Sequence, residues 1–394
     1  MSSDPPTKRV FFHIGAPKTG TTYLQSILRK NKGGLARAGV LYPYESISES
    51  FDSMIDFRKT GWAGKPASRY DGAWENIAAR IRSWHGHTVI VSHELLCSTA
   101  LPQIKAGLAA VQPAEIHVIF SARDFGRALV SDWQEQIKHK HTVTLERFVD
   151  DLVSLGLDAP EPFGEYFWGM HDAAYVLDHW SKAVPKENLH VVTVPAPGGP
   201  KTALWERFAA ITGIDAGGYD TEADRTNSSL GVVETELVRR INLGVQRMAS
   251  EVYDPLVRLY LAEEVLGRRS PHICLPPQHY DWVVKRSRQL VEEIALAGYP
   301  IEGDLEDLMP VREYHSDYIS PTDLDDGDLG HSAIIAATGM LRRAAATHRR
   351  SLRLEGDPRL PPASWRSRIR RALGRLRREV RRVPGSVASR RRRP

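Results

Sequence analysis

The 394-residue sequence has few cysteines and no long apolar run. Its two cysteines, Cys97 and Cys274, cannot build a disulfide framework, and no Cys-x-x-Cys pair predicts a zinc site. No stretch approaches the roughly 20 apolar residues of a membrane span, and the polar N-terminus lacks the apolar segment of a signal peptide. These absences predict a cytoplasmic protein.

Charge is distributed unevenly along the chain. Residues 341–394 contain 19 arginines, no lysine and three acids, which gives this tail a net charge of +16. Since the whole chain carries +5, residues 1–340 carry −11. The basic character belongs to the tail and gives no reason to expect that the body binds nucleic acid.

Short apolar runs alternate with amphipathic segments over roughly the first half of the chain, and the pattern beyond Thr226 is mainly helical. This alternation is typical of an α/β fold, with a parallel sheet flanked by helices. We expect a main domain over residues 1–312, an acidic loop or linker over 313–330, and a helical, Arg-rich tail over 331–394. The predicted strands are Arg9–Ile14, Thr88–Ser92, Ile116–Phe120 and Leu189–Val194, and the predicted helices include Thr21–Lys30, Phe125–Ile137 and Ala203–Thr212.

The segment that joins the first strand to the first helix has the composition of an anion-binding loop. Gly15 and Gly20 permit a tight backbone path, Lys18 supplies a cation, and three threonines supply hydroxyl groups. Unpaired amide groups at the start of a helix also favour an anion. The segment is not a Walker A motif, because its lysine precedes the second glycine. The alternative is a Gly-rich turn that binds nothing.

Within this loop, Pro17-Lys18-Thr19-Gly20-Thr21-Thr22 resembles the 5′-phosphosulfate loop of sulfotransferases. That family uses 3′-phosphoadenosine 5′-phosphosulfate (PAPS) as its sulfate donor. The resemblance implies a P-loop NTPase-like sheet, PAPS binding by these six residues, and a catalytic contact from Lys18 to the oxygen between phosphate and sulfate.

A second segment resembles the element by which sulfotransferases hold the 3′-phosphate of PAPS. Arg123 follows the strand Ile116–Phe120, and Ser131 lies in the next helix, four residues after Arg127 and so on the same helical face. The resemblance assigns the 3′-phosphate to Arg123 and Ser131, although Phe125 stands where the family usually has proline. The alternative is that both side chains are simply solvated.

A third segment, residues 224–234, resembles a stretch common in bacterial members of the family. Asn227 and Ser229 are there either late PAPS contacts or caps of the next helix. The whole resemblance extends from about Arg9 to Pro310 and excludes the tail.

Transfer of a sulfuryl group to a hydroxyl requires a base, and the end of the strand Thr88–Ser92 offers two candidates. His93 and Glu94 follow this strand, whose carboxyl end should lie beside the loop. Because successive strand residues point in opposite directions, we expect only one of them to face the site. Glu94 is the preferred base and His93 the alternative, unless both are only structural. No metal is expected.

The implied function is a PAPS-dependent sulfotransferase acting on a small-molecule or glycolipid hydroxyl. The alternatives are a P-loop-type kinase and a non-catalytic nucleotide- or anion-binding protein. Residues 364–383 predict a basic amphipathic helix. It either contacts an anionic membrane from the cytoplasmic face or stays solvated, and nucleic acid is an unlikely partner.

Overall fold

The structure is a computed structural model that describes residues 7–62, 64–222 and 229–354, with side chains to residue 351. Six parallel strands form one sheet in the order β2-β3-β1-β4-β5-β6. The strands are β1 Arg9–Gly15, β2 Val40–Leu41, β3 Thr88–Ser92, β4 Glu115–Ala122, β5 Leu189–Thr193 and β6 Ile301–Glu302. The predicted α/β class is therefore confirmed, with β1 at the centre of the sheet.

Helices connect the strands and continue after β5, as expected for parallel strands that need crossover connections. A π-helix spans Asp254–Leu266, and short 3₁₀ turns complete the connections. The α-helices are α1 Thr21–Lys30, α2 Lys32–Arg37, α3 Ile47–Arg58, α4 Ala73–Ser83, α5 Leu101–Ala109, α6 Phe125–Lys138, α7 Leu145–Leu155, α8 Phe163–His171, α9 Ala173–Ser181, α10 Ala203–Thr212, α11 Val232–Gly244, α12 Ser250–Tyr253, α13 Tyr280–Ala297 and α14 Asp326–Leu354.

The core explains why the central strands are apolar along their whole length. Val10, Phe11, Phe12 and Ile14 of β1 have no exposed surface, because both faces of a parallel sheet are covered by helices. Burial of such side chains is the main favourable contribution to folding. The burial of β1 also fixes where this strand ends and where the following loop begins, at the carboxyl edge of the sheet.

The structure differs from the predictions in three elements. The two-residue edge strands β2 and β6 were not predicted, because so short a run has no readable alternation. The predicted acidic loop or linker, residues 313–330, also contains the buried residues His315 and Pro321. Helix α14 begins at Asp326, inside that segment, where an acidic first turn suits the helix dipole.

Residues Met1–Ala336 and Ala337–Pro394 form two compact units. The first contains the sheet. The described part of the second, residues 337–354, is the continuation of α14. The predicted amphipathic helix 364–383 lies outside the described residues. Within the described part of the chain, no helix is both long enough and apolar enough to cross a membrane.

Candidate functional site

The loop after β1 has the shape of an anion cradle. Gly15 and Gly20 adopt φ values of 106° and 88°, a region that glycine enters without steric cost. A Cβ atom on Gly20 would collide with Leu204 Cδ2, so this side chain of α10 would have to shift. Lys18 has a φ of 61°, which turns its carbonyl oxygen toward β4. Gly20 is the N-cap of α1, which begins at Thr21.

The amide groups at the start of α1 are available to a ligand. Within the described part of the chain, no hydrogen bond is recorded for the amide groups of Thr19, Gly20, Thr21 and Thr22. Thr19 is buried and its hydroxyl donates to the Ala16 carbonyl at 2.6 Å, which stiffens the loop, whereas Thr22 is exposed. Pro17 is half-buried. The open amide groups and the positive end of the helix dipole both favour an anion here.

Arg123 joins this loop to the second predicted anchor. Its Nη1 donates to the Lys18 carbonyl oxygen at 2.8 Å and to Ser131 Oγ at 3.2 Å. Its Nε is buried and has no hydrogen-bond partner among the described residues. Burial and, to a smaller extent, the neighbouring Arg127 lower the pKa of Arg123 to about 10, while Asp124 opposes the shift. The guanidinium is still charged at neutral pH and retains a free donor.

Arg127 does not share the role of its helical neighbour Ser131. Its Nε pairs with the carboxylate of Asp124, the residue that caps α6, and its Nη1 donates to the Pro195 carbonyl at 3.1 Å. Arg127 therefore stabilises the start of α6, while Ser131 contacts Arg123 itself.

Lys18 is paired with a carboxylate that the sequence analysis missed. Lys18 Nζ lies 3.2 Å from Glu135 Oε2, and Glu135 also lies 3.7 Å from Lys138 Nζ and 3.5 Å from His139 Nε2. Burial alone would raise the pKa of Glu135, but Lys18, His139 and Lys138 hold it well below its ordinary value. Since Glu135 also adjoins Lys138 and His139, Lys18 can exchange it for an anion in the loop.

His13 supports the loop from below and was also missed. It is fully buried in β1, with Nδ1 2.8 Å from Ser92 Oγ and Nε2 2.9 Å from Ser121 Oγ. Burial lowers its pKa to about 4, against an opposing effect of Glu94, so the ring is neutral at physiological pH. The ring thus ties the ends of β3, β1 and β4 together. The sequence feature that could have indicated this role of His13 is a polar residue near the end of an apolar strand.

His93 and Glu94 lie side by side at the end of β3. The strand alternation behind the expectation that only one of them faces the site does not extend to both residues, because a 3₁₀ turn, Glu94–Leu96, begins directly after His93. His93 Nδ1 lies 3.9 Å from Glu94 Oε2 and accepts from the Leu95 amide at 3.3 Å. The backbone of Glu94 packs against Gly15, whose added Cβ would lie 3.1 Å from Glu94 Cα.

Both candidate bases are in the form that accepts a proton at neutral pH. Burial raises the pKa of Glu94, but the opposing effects of His93, of its own backbone hydrogen bond and of Gln25 leave it below the ordinary value. Burial lowers the pKa of His93 despite the charge of Glu94. Gln25 Nε2, in α1, donates to Glu94 Oε2 at 3.3 Å. Glu94 is therefore a carboxylate and His93 a neutral imidazole.

The third predicted segment is described only in part. Asn227 lies outside the described residues. Ser229 is exposed and does not cap α11, which begins at Val232 after Gly231. The Gly231 amide donates instead to Glu234 Oε2 at 3.0 Å, so the capping interpretation is wrong for Ser229. Among the described residues, no group of three His, Cys, Asp or Glu side chains is arranged to hold a metal ion.

Comparison with known proteins gives little beyond this geometry. No family model matches the chain, and no curated protein matches it. Among solved structures, the chain is similar to a sulfotransferase from Alicyclobacillus acidocaldarius, with 17% sequence identity and a TM-score of 0.35. The match covers 56% of this chain and 87% of that one. A similarity this low does not assign the chain to a family.

Asp132 gives the stability of the protein a testable pH dependence. It is 6% exposed, and its Oδ2 has no hydrogen-bond partner among the described residues. Burial raises the pKa of Asp132 to about 7, with smaller opposing effects of Gln136 and Lys18. Because the folded pKa lies above the unfolded one, stability from this group is complete below about pH 4 and is lost as the pH rises toward 7.

We expect Asp132→Asn to flatten the pH dependence of stability. Between pH 5 and pH 8 the wild-type free energy of unfolding should fall relative to the variant by up to about 3 kcal/mol. Urea unfolding at both pH values measures the difference, with Asp158→Asn as the control because Asp158 is exposed. The same fall in Asp132→Asn as in wild type would show that Asp132 is not the cause.

Proposed function

We propose that this protein is a sulfotransferase that moves the sulfuryl group of PAPS to the hydroxyl of an acceptor. The observation that carries the proposal is the contact of Arg123 with both the Lys18 carbonyl and Ser131. Two segments that separately resemble the two phosphate-binding elements of sulfotransferases thus adjoin, although 105 residues separate Arg123 from Lys18.

The residues present suit a donor with two separated phosphates. The open amide groups of Thr19 to Thr22 and the Lys18 cation would hold the 5′-phosphosulfate. Arg123, with its free Nε, and Ser131 would hold the 3′-phosphate, since a guanidinium forms paired hydrogen bonds to phosphate oxygens. We retain Pro17 as a loop-shaping residue and Ser229 with Asn227 as late contacts of the same donor.

Bound PAPS would supply a sulfuryl group, whose bond to the phosphate oxygen breaks as the acceptor oxygen bonds to sulfur. Lys18 stabilises the negative charge that develops on the leaving phosphate oxygen, and the loop amide groups share that task. The loop amide groups are fixed by the fold before the ligand arrives, so they need little reorganisation during the reaction.

Glu94 is the base in this proposal, and it takes the proton of the acceptor hydroxyl. Its backbone adjoins Gly15 at the start of the loop, its carboxylate is about a third exposed, and Gln25 orients it. His93 Nδ1 is engaged by the Leu95 amide. We therefore place His93 as a neighbour that positions the turn and tunes the Glu94 carboxylate.

Calorimetry tests the nucleotide specificity of the full-length protein. We expect binding of the product 3′-phosphoadenosine 5′-phosphate (PAP) without magnesium, weaker binding of ADP, and no tight binding of magnesium-ATP. Lys18→Ala and Arg123→Gln should each weaken PAP at least about tenfold, because each removes a charged hydrogen-bond donor. Arg37→Gln, at an exposed arginine, is the matched control.

Each other outcome of that experiment has a defined meaning. Tight binding of magnesium-ATP without PAP binding would contradict the proposal and favour a P-loop-type kinase. PAP binding without transfer of labelled sulfate from PAPS to a broad panel of hydroxyl acceptors would favour a non-catalytic nucleotide-binding protein.

The choice of base has its own test. Glu94→Gln should lower kcat by about 10² to 10⁴, the usual contribution of a general base, and leave PAP affinity unchanged. His93→Ala should have a much smaller effect on kcat. Near-native turnover in both variants would exclude both bases, and loss of turnover in His93→Ala alone would transfer the role to His93.

A further inference from the structure

A small pocket opens beside the candidate base, and its most polar group has no partner. The pocket has a volume of about 30 Å³ and lies between α1, the segment after β2 and the start of α3. Gln25 and His93 line it, so it shares a wall with the site described above. Its other polar lining groups are Arg29, Tyr42, Tyr44, Ser46 and Ser50.

Arg29 is the charged group of this pocket that lacks a partner among the described residues. Its side chain is half-buried in the pocket, and among the described residues no ion pair and no hydrogen bond is recorded for it. A partly desolvated guanidinium without an acceptor is unfavourable, so such groups are normally paired. Arg29 lies in the last turn of α1, where a positive charge interacts favourably with the helix dipole. This interaction is weak and does not explain why the Arg29 side chain lines a pocket.

The two acidic side chains that precede and open α3 are engaged by other cations. Glu49 pairs with Arg80, with Nη2 and Oε1 2.7 Å apart, and Glu45 pairs with Lys32 at 2.6 Å. Neither carboxylate is recorded in contact with Arg29. An anion that compensates Arg29 would therefore have to come from outside these residues.

Arg29 and the candidate base Glu94 both affect the pKa of Tyr42, which lines the same pocket. Burial raises the pKa of the Tyr42 phenol, while the charge of Arg29 opposes this shift and the charge of Glu94 adds to it. The phenol thus lies within electrostatic reach of both groups. His93 lines the pocket together with Arg29, so a molecule seated there would adjoin His93.

We infer that this pocket binds the carboxylate of the acceptor, with Arg29 as its partner, and so selects hydroxyl compounds that also carry a carboxylate. The pocket is large enough for a group of a few atoms, and a guanidinium matches a carboxylate with two parallel hydrogen bonds. The Ser46 and Ser50 hydroxyl groups line the same pocket. The assignment to the acceptor rests on the proposed function, whereas the anion site itself rests on the pocket alone.

The test compares two probes that differ only in charge. Binding of 4-hydroxyphenylacetate and of its neutral amide is measured by calorimetry on the full-length protein with saturating PAP, so that the loop is filled. We expect wild type to bind the carboxylate at least about tenfold more tightly than the amide. Arg29→Gln should remove this preference, and Arg37→Gln should retain it.

Three results would overturn the inference. They are equal affinity of wild type for the two probes, a preference that survives in Arg29→Gln, and no binding of either probe to wild type. Phenyl phosphate serves as a third probe, and tighter binding of it than of the carboxylate would also contradict the assignment.

PAP affinity separates this inference from the proposed function. Arg29→Gln should bind PAP as wild type does, which also shows that the variant is folded. If wild type does not bind PAP, the proposed function fails, but the carboxylate preference measured without PAP still decides whether Arg29 forms an anion site.

Discussion

The bridging position of Arg123 is the constraint on which the site depends. One guanidinium nitrogen holds the carbonyl of Lys18 and the hydroxyl of Ser131 at the same time. These contacts link the loop after β1 to the helix after β4, two neighbouring strands at the centre of the sheet. Because charged hydrogen bonds are stronger than neutral ones, this bridge orders the loop before any ligand is bound.

The cation Lys18 is held by an ion pair that an anionic ligand can replace. Lys18 is paired with Glu135, and Glu135 keeps Lys138 and His139 as partners when Lys18 leaves it. The sequence places a net charge of −11 on residues 1–340, so an anionic ligand is not attracted by the body as a whole. Recognition must therefore come from a few local cations, chiefly Lys18 and Arg123, with the amide groups of the loop.

Local patterns predicted the main elements because each pattern is set by neighbours in the chain. The helix Thr21–Lys30 and the strand Thr88–Ser92 have the predicted bounds, and the loop between β1 and α1 lies where its glycines placed it. Glu135, His13 and Arg29 were not predicted as site residues. Glu135 and His13 matter because they contact segments that are distant in the sequence, as the 117 residues between Lys18 and Glu135 show. Arg29 matters because it lacks a partner among the described residues.

The end of strand alternation at His93 and Glu94 was missed for a similar reason. Strand alternation applies only while the chain stays extended, and a 3₁₀ turn begins at Glu94. A polar strand end next to a tight turn carries no sequence signal that shows where alternation stops. In the same way, the acidic composition of Tyr314–Gly330 hid the buried His315, because burial there is decided by packing against distant segments.

A crystal structure of the protein with PAP tests the central claim most directly, namely that the loop and Arg123 form one binding site for a nucleotide with two phosphates. The account predicts the 5′-phosphate on the amide groups of Thr19 to Thr22, the 3′-phosphate on Arg123 and Ser131, and Lys18 Nζ moved from Glu135 to the phosphate. PAP bound elsewhere, or bound with Lys18 still on Glu135 and no phosphate on the loop, would contradict it.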